Sequence, residues 1–406
     1  MRFAAHYHGP LFHALMCDPP YHLTSITQRF GKPNSAPARG DVYARAARGF
    51  MGQRWDGGDI AFRAETWAAF SELLYAGAFV MAFASARGWH RQAVAMEDAG
   101  LIIHPMMAWV FGSGFPKATQ VKDARFDGHR YGLQALKPAM EPIIIAQKPY
   151  AGKPRESITE TGAGALWIDG ARIGSEAIPS NQWMDNAHPF GGGAGNDYQT
   201  VVHQGRWPAN FVLQHSPECQ VPVTCVPECA VRRMGEQSGE RGGAGRASGP
   251  TVRKMGTRGI FNAAKGDGKE SPYYGDEGTA ARFFYNADWV AEKIELADPF
   301  LYAAKAGRKE RDEGLVEGRN PHPTVKPISL THHLGTLLLP PAEYAPRRLL
   351  VPFLGSGSEM IGGLLAGWDE IVGVEGEAEY VEIANRRLAF WESKKQAQMS
   401  LLASVL

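Results

Sequence analysis

The stretch VPFLGSGSEMIGGLLAGWDEIVGVE, residues 351–375, has the pattern of one unit of an α/β fold. A short apolar run enters a glycine turn, a helix-like pattern follows, and a second apolar run ends on an acid. Gly355 and Gly357 remove side chains at points where a backbone can approach a ligand. Glu375 could accept hydrogen bonds from ribose hydroxyls, so the unit suits a nucleoside ligand. The alternative for an isolated Gly-Ser-Gly is a strand-to-helix turn that binds nothing.

Similar patterns lie on both sides of a middle region with weak periodicity. In the first 150 residues they predict the buried strands LFHALMC, AFVMAFAS, LIIHPMMAWVFG and EPIIIAQK, and a helix over AETWAAFSELLYAG. After residue 304 they predict the strands RRLLVPF and EIVGVE, and helices over PISLTHHLGTLLLP, SEMIGGLLAG and EYVEIANRRLAFWESKK. Because strands that alternate with helices favour a parallel sheet, we predict an α/β fold in which regions 1–150 and 305–406 flank region 151–304.

Composition bounds the class of protein. With 406 residues, 44% of them hydrophobic, the chain can build one large or two moderate globular domains. Lys and Arg total 43 against 42 acids, and this formal charge of +1 predicts no binding partner by itself. No apolar stretch approaches the ~20 residues of a membrane-spanning helix, and the N-terminus lacks the pattern of a signal peptide. With four cysteines in all, we expect a reduced, cytoplasmic protein that does not enter a membrane.

Two segments carry local positive charge. Residues 24–59 contain six basic side chains against three acids, and residues 232–269 contain nine against three. The six in the first segment are Arg29, Lys32, Arg39, Arg45, Arg48 and Arg54. Both segments are rich in glycine or alanine and predict loops, which either are simply solvated or contact phosphates.

The tetrapeptide DPPY at residues 18–21 places an acid and two prolines directly after a predicted strand. Open α/β sheets bind ligands at the carboxyl ends of their strands, where Asp18 would lie. Pro19 and Pro20 have no backbone N–H, so Asp18 and the Pro19 carbonyl form a pair of acceptors. Such a pair could hold both hydrogens of an exocyclic amino group on a nucleobase, with Tyr21 stacking on the ring. The alternative is an ordinary turn at the end of a strand.

Three motifs in one order resemble the amino-directed DNA methyltransferases that use S-adenosylmethionine. They are DPPY at 18–21, HPTVKPISL at 322–330, and PFLGSG at 352–357 with Glu375 beyond it. A catalytic motif that precedes the cofactor motifs is the arrangement of the β class. Intervening stretches, among them FMGQRWDGGDIAF and GAGALWIDGARI, resemble methyltransferases common in phages and prophages. The resemblance covers most of the chain.

The resemblance implies a fold and a division of the chain. The fold would be Rossmann-like, with a mostly parallel seven-stranded sheet, a permuted motif order and an inserted target-recognition region. Residues 1–150 would form the catalytic half, residues 151–304 the target-recognition region, and residues 305–406 the cofactor-binding half.

It also implies roles for residues at matching positions. The catalytic residues would be Asp18, Pro19, Pro20 and Tyr21. The residues binding S-adenosyl-L-methionine would be Phe353, Gly355, Ser356, Gly357, Glu375, His322, Thr324, Lys326 and Pro327. Lys326 has an electrostatic reason for its place, since the cofactor carries a carboxylate.

The implied reaction transfers a methyl group to the N6 atom of an adenine flipped out of double-stranded DNA. An amino group must be held so that its nitrogen lone pair points at the sulfonium methyl, and a paired base hides that group. In this family DPPY accompanies mainly N6-adenine, whereas N4-cytosine enzymes usually have serine in place of Asp18. The family also implies a homodimer, which suits a palindromic site. The alternatives are an N4-cytosine enzyme, an RNA methyltransferase and a catalytically degenerate DNA-binding relative.

Two departures from the family pattern favour the degenerate alternative. Val351 stands where the family usually has an acid, immediately before the Pro-Phe of the glycine loop. No Gly-Asp pair precedes DPPY, although the family usually has one about twenty residues earlier. Either the site manages without these groups and binds the cofactor more weakly, or the chain starts later than its relatives do.

The cysteines offer a possible metal site. His215, Cys219, Cys225 and Cys229 have a spacing within reach of tetrahedral zinc, although it is not a paired C-x2-C pattern. Reduced thiols without a metal are the default expectation. Cys17 is expected to be a buried apolar residue, because amino methylation needs no nucleophile.

Overall fold

The computed structural model describes most of the chain outside the middle region. The described residues are 2–21, 59–111, 116–183, 198–213, 226–227, 229–238, 285–286, 306, 308–315, 319–322 and 324–405. Most of the two basic segments lies outside them, as do His215, Cys219 and Cys225.

The described residues form thirteen strands and nine α-helices. The strands are β1 (Phe12–Cys17), β2 (Leu74–Phe83), β3 (Ile102–Ile103), β4 (Met107–Val110), β5 (Lys117–Gln120), β6 (Arg130–Gln134), β7 (Met140–Gln147), β8 (Ile173–Trp183), β9 (Tyr198–Arg206), β10 (Phe211–Leu213), β11 (Tyr285–Asn286), β12 (Arg348–Pro352) and β13 (Glu370–Val374). The helices are α1 (Arg2–His6), α2 (Ala64–Ser71), α3 (Trp89–Asp98), α4 (Pro154–Thr161), α5 (Ala230–Ser238), α6 (Arg308–Asp312), α7 (Ile328–Leu338), α8 (Ser358–Ala366) and α9 (Ala378–Val405).

Nine of these strands form one central sheet. Their order is β11-β10-β4-β7-β2-β1-β12-β13, with β3 also beside β7. Strand β7 runs antiparallel to its neighbours β2, β3 and β4, and the other pairs are parallel. The predicted Rossmann-like α/β fold with a mostly parallel sheet is therefore confirmed. The sheet exceeds the seven predicted strands because β3 and β11, two residues each, add to seven longer strands.

Strand β1 shows why the core forms where it does. All six of its residues are buried, as expected of a central strand covered on both faces. Ala14 and Met16 face an apolar cluster that includes leucines of α7, whereas Leu15 and Cys17 face a second cluster that includes apolar residues of α2 and α3. The alternation of side chains along a strand thus feeds two apolar layers, one on each face of the sheet.

Two predicted elements have different bounds in the structure. The helix expected over AETWAAFSELLYAG ends at Ser71, and β2 already begins at Leu74 because Leu74 pairs with Phe12 of β1. The single strand expected over LIIHPMMAWVFG is two strands, β3 and β4, separated at Pro105. Proline has no N–H to donate to the ladder, and the two halves pair separately with β7.

Region 151–304 takes part in the central sheet. Strands β10 and β11 extend it beyond β4, while β8 and β9 form a separate antiparallel hairpin. A second separate hairpin, β5–β6, lies between β4 and β7 in the chain. The division at residues 150 and 304 remains a prediction about roles.

None of the helices in the described part of the chain combines the length and apolar character that crossing a bilayer requires.

Candidate active site

The carboxyl ends of β1 and β12 bring two of the predicted motifs together. The two strands are parallel neighbours, with Ala14 opposite Leu349 and Leu15 opposite Leu350. Asp18 follows the last residue of β1, and the glycine loop, residues 353–357, follows the last residue of β12. Because parallel strands end at the same edge of the sheet, motifs more than 300 positions apart in the chain lie side by side.

Lys326 joins the third motif to the first. Its Nζ donates a hydrogen bond to Asp18 Oδ2 at 2.5 Å and another to the Tyr21 hydroxyl at 3.1 Å. The Tyr21 hydroxyl in turn donates to Glu141 Oε2 at 3.1 Å, and that carboxylate lies 3.5 Å from Nζ. The ammonium also lies 4.8 Å from the centre of the Phe83 ring, a cation–π distance. The structure thus pairs Lys326 with the DPPY motif, where the family resemblance led us to expect a cofactor carboxylate.

Burial and charge set the ionisation of this cluster. Burial raises the pKa of Asp18, and Lys326 opposes that effect by its charge and its hydrogen bond. Burial alone would lower the pKa of Lys326, but the nearby carboxylates of Asp18 and Glu141 outweigh it and the net pKa is raised. Burial and the same two acids raise the pKa of Tyr21 well above its usual value, so its hydroxyl keeps its proton. Lys326 therefore counteracts the protonation of Asp18 that burial favours.

One oxygen of Asp18 is left available. Asp18 Oδ1 is inaccessible to solvent and has no hydrogen-bond partner among the described residues. Buried carboxylate oxygens are normally hydrogen-bonded, so an orphaned one marks a place where a donor is missing. Pro19 and Pro20, which follow, are also buried and offer no N–H to fill it. The site can therefore accept a hydrogen from a ligand at Asp18.

The glycine loop adopts backbone conformations that side chains disfavour. Gly355 has a φ of 51° and Gly357 a φ of 85°, and Phe353 has a φ of 57° although it is not glycine. A Cβ at Gly355 would lie 2.8 Å from the imidazole Nε2 of His322, and one at Gly357 would lie 3.0 Å from the Cβ of Ala384. The loop therefore approaches both α9 and the HPTVKP motif so closely that a side chain at either glycine would force a neighbour to move.

Two charged side chains hold this loop in place. Glu375 Oε2 accepts from the Gly355 N–H at 2.7 Å, and its Oε1 accepts from the N–H groups of the two following residues. Arg387 of α9 is fully buried and donates to the Ser356 carbonyl at 2.6 Å. Glu375, expected to bind ribose, thus has a structural role that the sequence did not predict. Its ribose contact remains a prediction.

The HPTVKP motif packs against the loop through a neutral imidazole. Burial, helped by the charge of Lys326, lowers the pKa of His322 to about 4. Its Nδ1 lies 3.1 Å from the Thr324 carbonyl and must carry the proton, since a carbonyl only accepts. The ring meets Tyr380 edge-on with centroids 4.7 Å apart. Pro327 precedes α7 and is buried, so it can begin the helix without an unsatisfied N–H.

Three further residues of the site were not predicted from the sequence. Glu141 reaches the cluster from the start of β7, Glu359 lies in the first turn of α8, and Arg387 projects from α9. The signal for two of them was present, because Glu141 and Glu359 are single acids at the ends of strongly apolar elements. Nothing in the local pattern distinguishes Arg387 from its neighbour Arg386.

Other predictions about single residues can be compared with the structure. Val351 is fully buried in the core, where it pairs with Gly373. Cys17 is buried, and burial followed by the charges of Asp18 and Glu359 raises the pKa of its thiol well above the usual value, which suits a packing role. Cys229 is buried, and no cluster of metal-ligating side chains occurs in the described residues. Because the other three zinc candidates lie outside those residues, the zinc hypothesis stays open.

No protein-family model and no curated protein matches the chain. Several solved structures are similar to the chain. The complex of M1.HpyAVI with S-adenosylmethionine is 13% identical with a TM-score of 0.35 and covers 93% of this chain and 89% of its own. A putative DNA modification methylase from Thermus thermophilus, with S-adenosyl-L-methionine, is 11% identical with a TM-score of 0.35 and covers 96% and 92%.

The cytosine-N4-specific PvuII DNA methyltransferase is 9% identical with a TM-score of 0.40 and covers 98% of this chain and 89% of its own. At these TM-scores the likeness assigns no function to this chain. What the chain does must be argued from its own residues.

Proposed function

We propose that the chain is a DNA methyltransferase that moves the methyl group of S-adenosylmethionine to N6 of a flipped-out adenine. The observation that carries the proposal is the buried, unpartnered Oδ1 of Asp18 beside the glycine loop. An amino group on a base has two hydrogens, which Asp18 Oδ1 and the Pro19 carbonyl could accept together. Held in this way, the nitrogen would present its lone pair to a methyl donor above the glycine loop.

Lys326 has a defined part in this mechanism. The amino group requires an acceptor, so Asp18 must be ionised, and burial opposes ionisation. Lys326 at 2.5 Å supplies the compensating charge. The methylated nitrogen would have to lose one proton, which Asp18 Oδ1 would accept. The Cys17 thiol stays protonated, which fits direct transfer without a covalent intermediate.

The residues around the glycine loop fit S-adenosylmethionine, which when bound supplies an electrophilic methyl group on a sulfonium. Gly355 and Gly357 let the loop backbone lie close to His322 and Ala384, and the buried oxygens Asp18 Oδ1 and Glu359 Oε1 lack hydrogen-bond partners among the described residues. The predicted contacts are the glycine loop, residues 353–357, Glu375 for the ribose, and the HPTVKP motif, residues 322–327, for the methionine end. His322, Thr324 and Pro327 would shape the same site, with His322 packed against the loop.

The hairpin β5–β6 is proposed as a further DNA contact. Strand β4 runs in the same direction as β1, so its carboxyl end lies at the edge that carries Asp18. Strand β7 returns from that edge, where Glu141 contacts the site, and the hairpin joins the two. Residues 117–137 contain five Lys or Arg against two Asp, and Tyr131 is 55% exposed. Phosphate contacts here would help offset the few kcal/mol that base flipping costs.

The roles of the three regions follow from this proposal. Residues 1–150 and 305–406 would form the two halves of the catalytic domain, and residues 151–304 would recognise the target sequence. The basic segments 24–59 and 232–269 are proposed as further DNA contacts, although residues 232–238 lie in helix α5 and not in the predicted loop. A homodimer is proposed for a palindromic site.

The proposal is tested by mass spectrometry of nucleosides. Mixed-sequence duplex DNA is incubated with S-adenosylmethionine and either the wild type or Asp18→Ala, then digested. We expect N6-methyladenine from the wild type alone. Detection of N4-methylcytosine instead would identify cytosine as the target base, since both bases offer an exocyclic amino group to Asp18. DNA binding without any methylated base would show a degenerate relative, the outcome that Val351 and the missing Gly-Asp pair favour.

A further inference from the structure

Glu359 is a buried acid whose carboxylate is only partly hydrogen-bonded by the residues that the structure describes. It is the second residue of α8, directly after the glycine loop, and is 4% exposed. Its Oε1 is inaccessible and has no hydrogen-bond partner among the described residues. Burying a carboxylate without pairing it is costly, so a partner from outside the chain is expected.

The charges around Glu359 are predominantly negative. Asp18 and Cys17 face it from the end of β1, Lys326 from the residues before α7, and Arg387 from α9. Arg387 is shared with Glu310, another buried acid, and Lys326 is shared with Asp18 and Glu141. Arg387 also interacts with Glu313 and with the cation Arg311. Three cations therefore lie among five carboxylates: those of Asp18, Glu141, Glu310, Glu313 and Glu359. A ligand with positive charge would reduce this imbalance.

We infer that Glu359 is the counter-ion of the cofactor's sulfonium and makes the site prefer S-adenosylmethionine to its uncharged thioether product. The inference rests on the proposed function. In the proposed reaction the sulfonium would lie close to Asp18, because its methyl group would have to reach the amino nitrogen that Asp18 would hold. Glu359 belongs to the element that follows the loop and interacts electrostatically with Asp18.

A consequence for proton binding follows. Burial, followed by the charge of Asp18, raises the pKa of Glu359 to about 7. At neutral pH the empty site therefore holds part of a proton on this carboxyl. Binding of a sulfonium favours the ionised form and expels that proton, whereas binding of a thioether does not.

The test is isothermal calorimetry with S-adenosylmethionine and with S-adenosylhomocysteine, in two buffers of different ionisation enthalpy at pH 7. The variants are Glu359→Gln, which removes the charge, and Glu359→Asp, which keeps it. Glu379→Gln, at an exposed position in the first turn of α9, is the matched control. Circular dichroism and thermal unfolding verify that each variant is folded.

For the wild type we expect proton release with S-adenosylmethionine only. Glu359→Gln should weaken that ligand by about tenfold or more, abolish proton release, and change the affinity for S-adenosylhomocysteine by less than about threefold. Glu359→Asp and the control should keep the preference.

An equal loss of affinity for both ligands in Glu359→Gln, or no proton release by the wild type, would overturn the inference while the proposed function stands. If Glu359→Gln does not fold, two other results test the inference: proton release by the wild type, and retention by Glu359→Asp of the preference for S-adenosylmethionine over S-adenosylhomocysteine. A wild type that binds no S-adenosylmethionine would overturn the proposed function as well.

Discussion

Lys326→Met removes the positive charge that favours the ionised form of Asp18. The ammonium and carboxylate are 2.5 Å apart, with side-chain exposures of 4% and 11%. At an effective dielectric constant of about 20, charges at that distance attract by ~7 kcal/mol. Much of this offsets desolvation, and removal of one partner from a buried pair costs about 3–5 kcal/mol in the free energy of unfolding. Methionine keeps the length and apolar stem of lysine, so the change is mainly one of charge.

The loss of stability should depend on pH. Without Lys326 the pKa of Asp18 rises further above its value in the unfolded chain, because burial is no longer opposed. Above the unfolded value, about 3.9, the native variant then binds a proton that the unfolded chain has released, so its stability falls as pH rises. Residual methyl transfer should do the opposite and increase with pH, since the reaction needs ionised Asp18.

Urea unfolding of Lys326→Met at pH 5 and pH 8, with methyl-transfer assays over the same range, measures both slopes. Lys148→Met is the matched control, because the Lys148 ammonium donates hydrogen bonds to the backbone carbonyls of Ser71 and Leu74, which do not titrate. It should lose stability equally at both pH values. A deficit of the same size at pH 5 and pH 8 in Lys326→Met would refute the role assigned to its charge.

Gly355→Ala should cost about 1–2 kcal/mol of stability for its positive φ and should abolish cofactor binding measured by calorimetry, because its Cβ meets an imidazole at 2.8 Å. Gly128→Ala has a similar φ and open space, so retention of cofactor binding there is the control. Glu310→Gln should remove a pH dependence: burial raises the pKa of Glu310 from 4.5 to about 7, so wild-type stability falls relative to the variant by about 3 kcal/mol between those pH values in urea unfolding. Arg130→Ala in β6 should lower the affinity for DNA and reduce the slope of log affinity against log salt by about 1. Arg155→Ala in α4, beyond the opposite edge of the sheet, is the control and should change neither. Equal effects of the two variants would contradict the proposed DNA contact of the hairpin.

Local patterns were sufficient to predict much of the fold. Strand β1 and the unit from β12 to β13 occur where apolar periodicity predicted them, because alternating burial and helical spacing are written in neighbouring residues. The prediction was wrong where pairing at a distance decided the bounds. Leu74 lies in a strand because Phe12 pairs with it, and Pro105 divides a run that is apolar on both sides.

The candidate site divides in the same way. The sequence by itself determined that an acid and two prolines end one strand and that glycines end another. Only the tertiary structure decided that Lys326 pairs with Asp18, 308 positions away, that Glu141 and Glu359 crowd the same pair, and that Arg387 secures the glycine loop. Charges acquire their effect from distance and burial, and both depend on which strand ends the completed sheet places side by side.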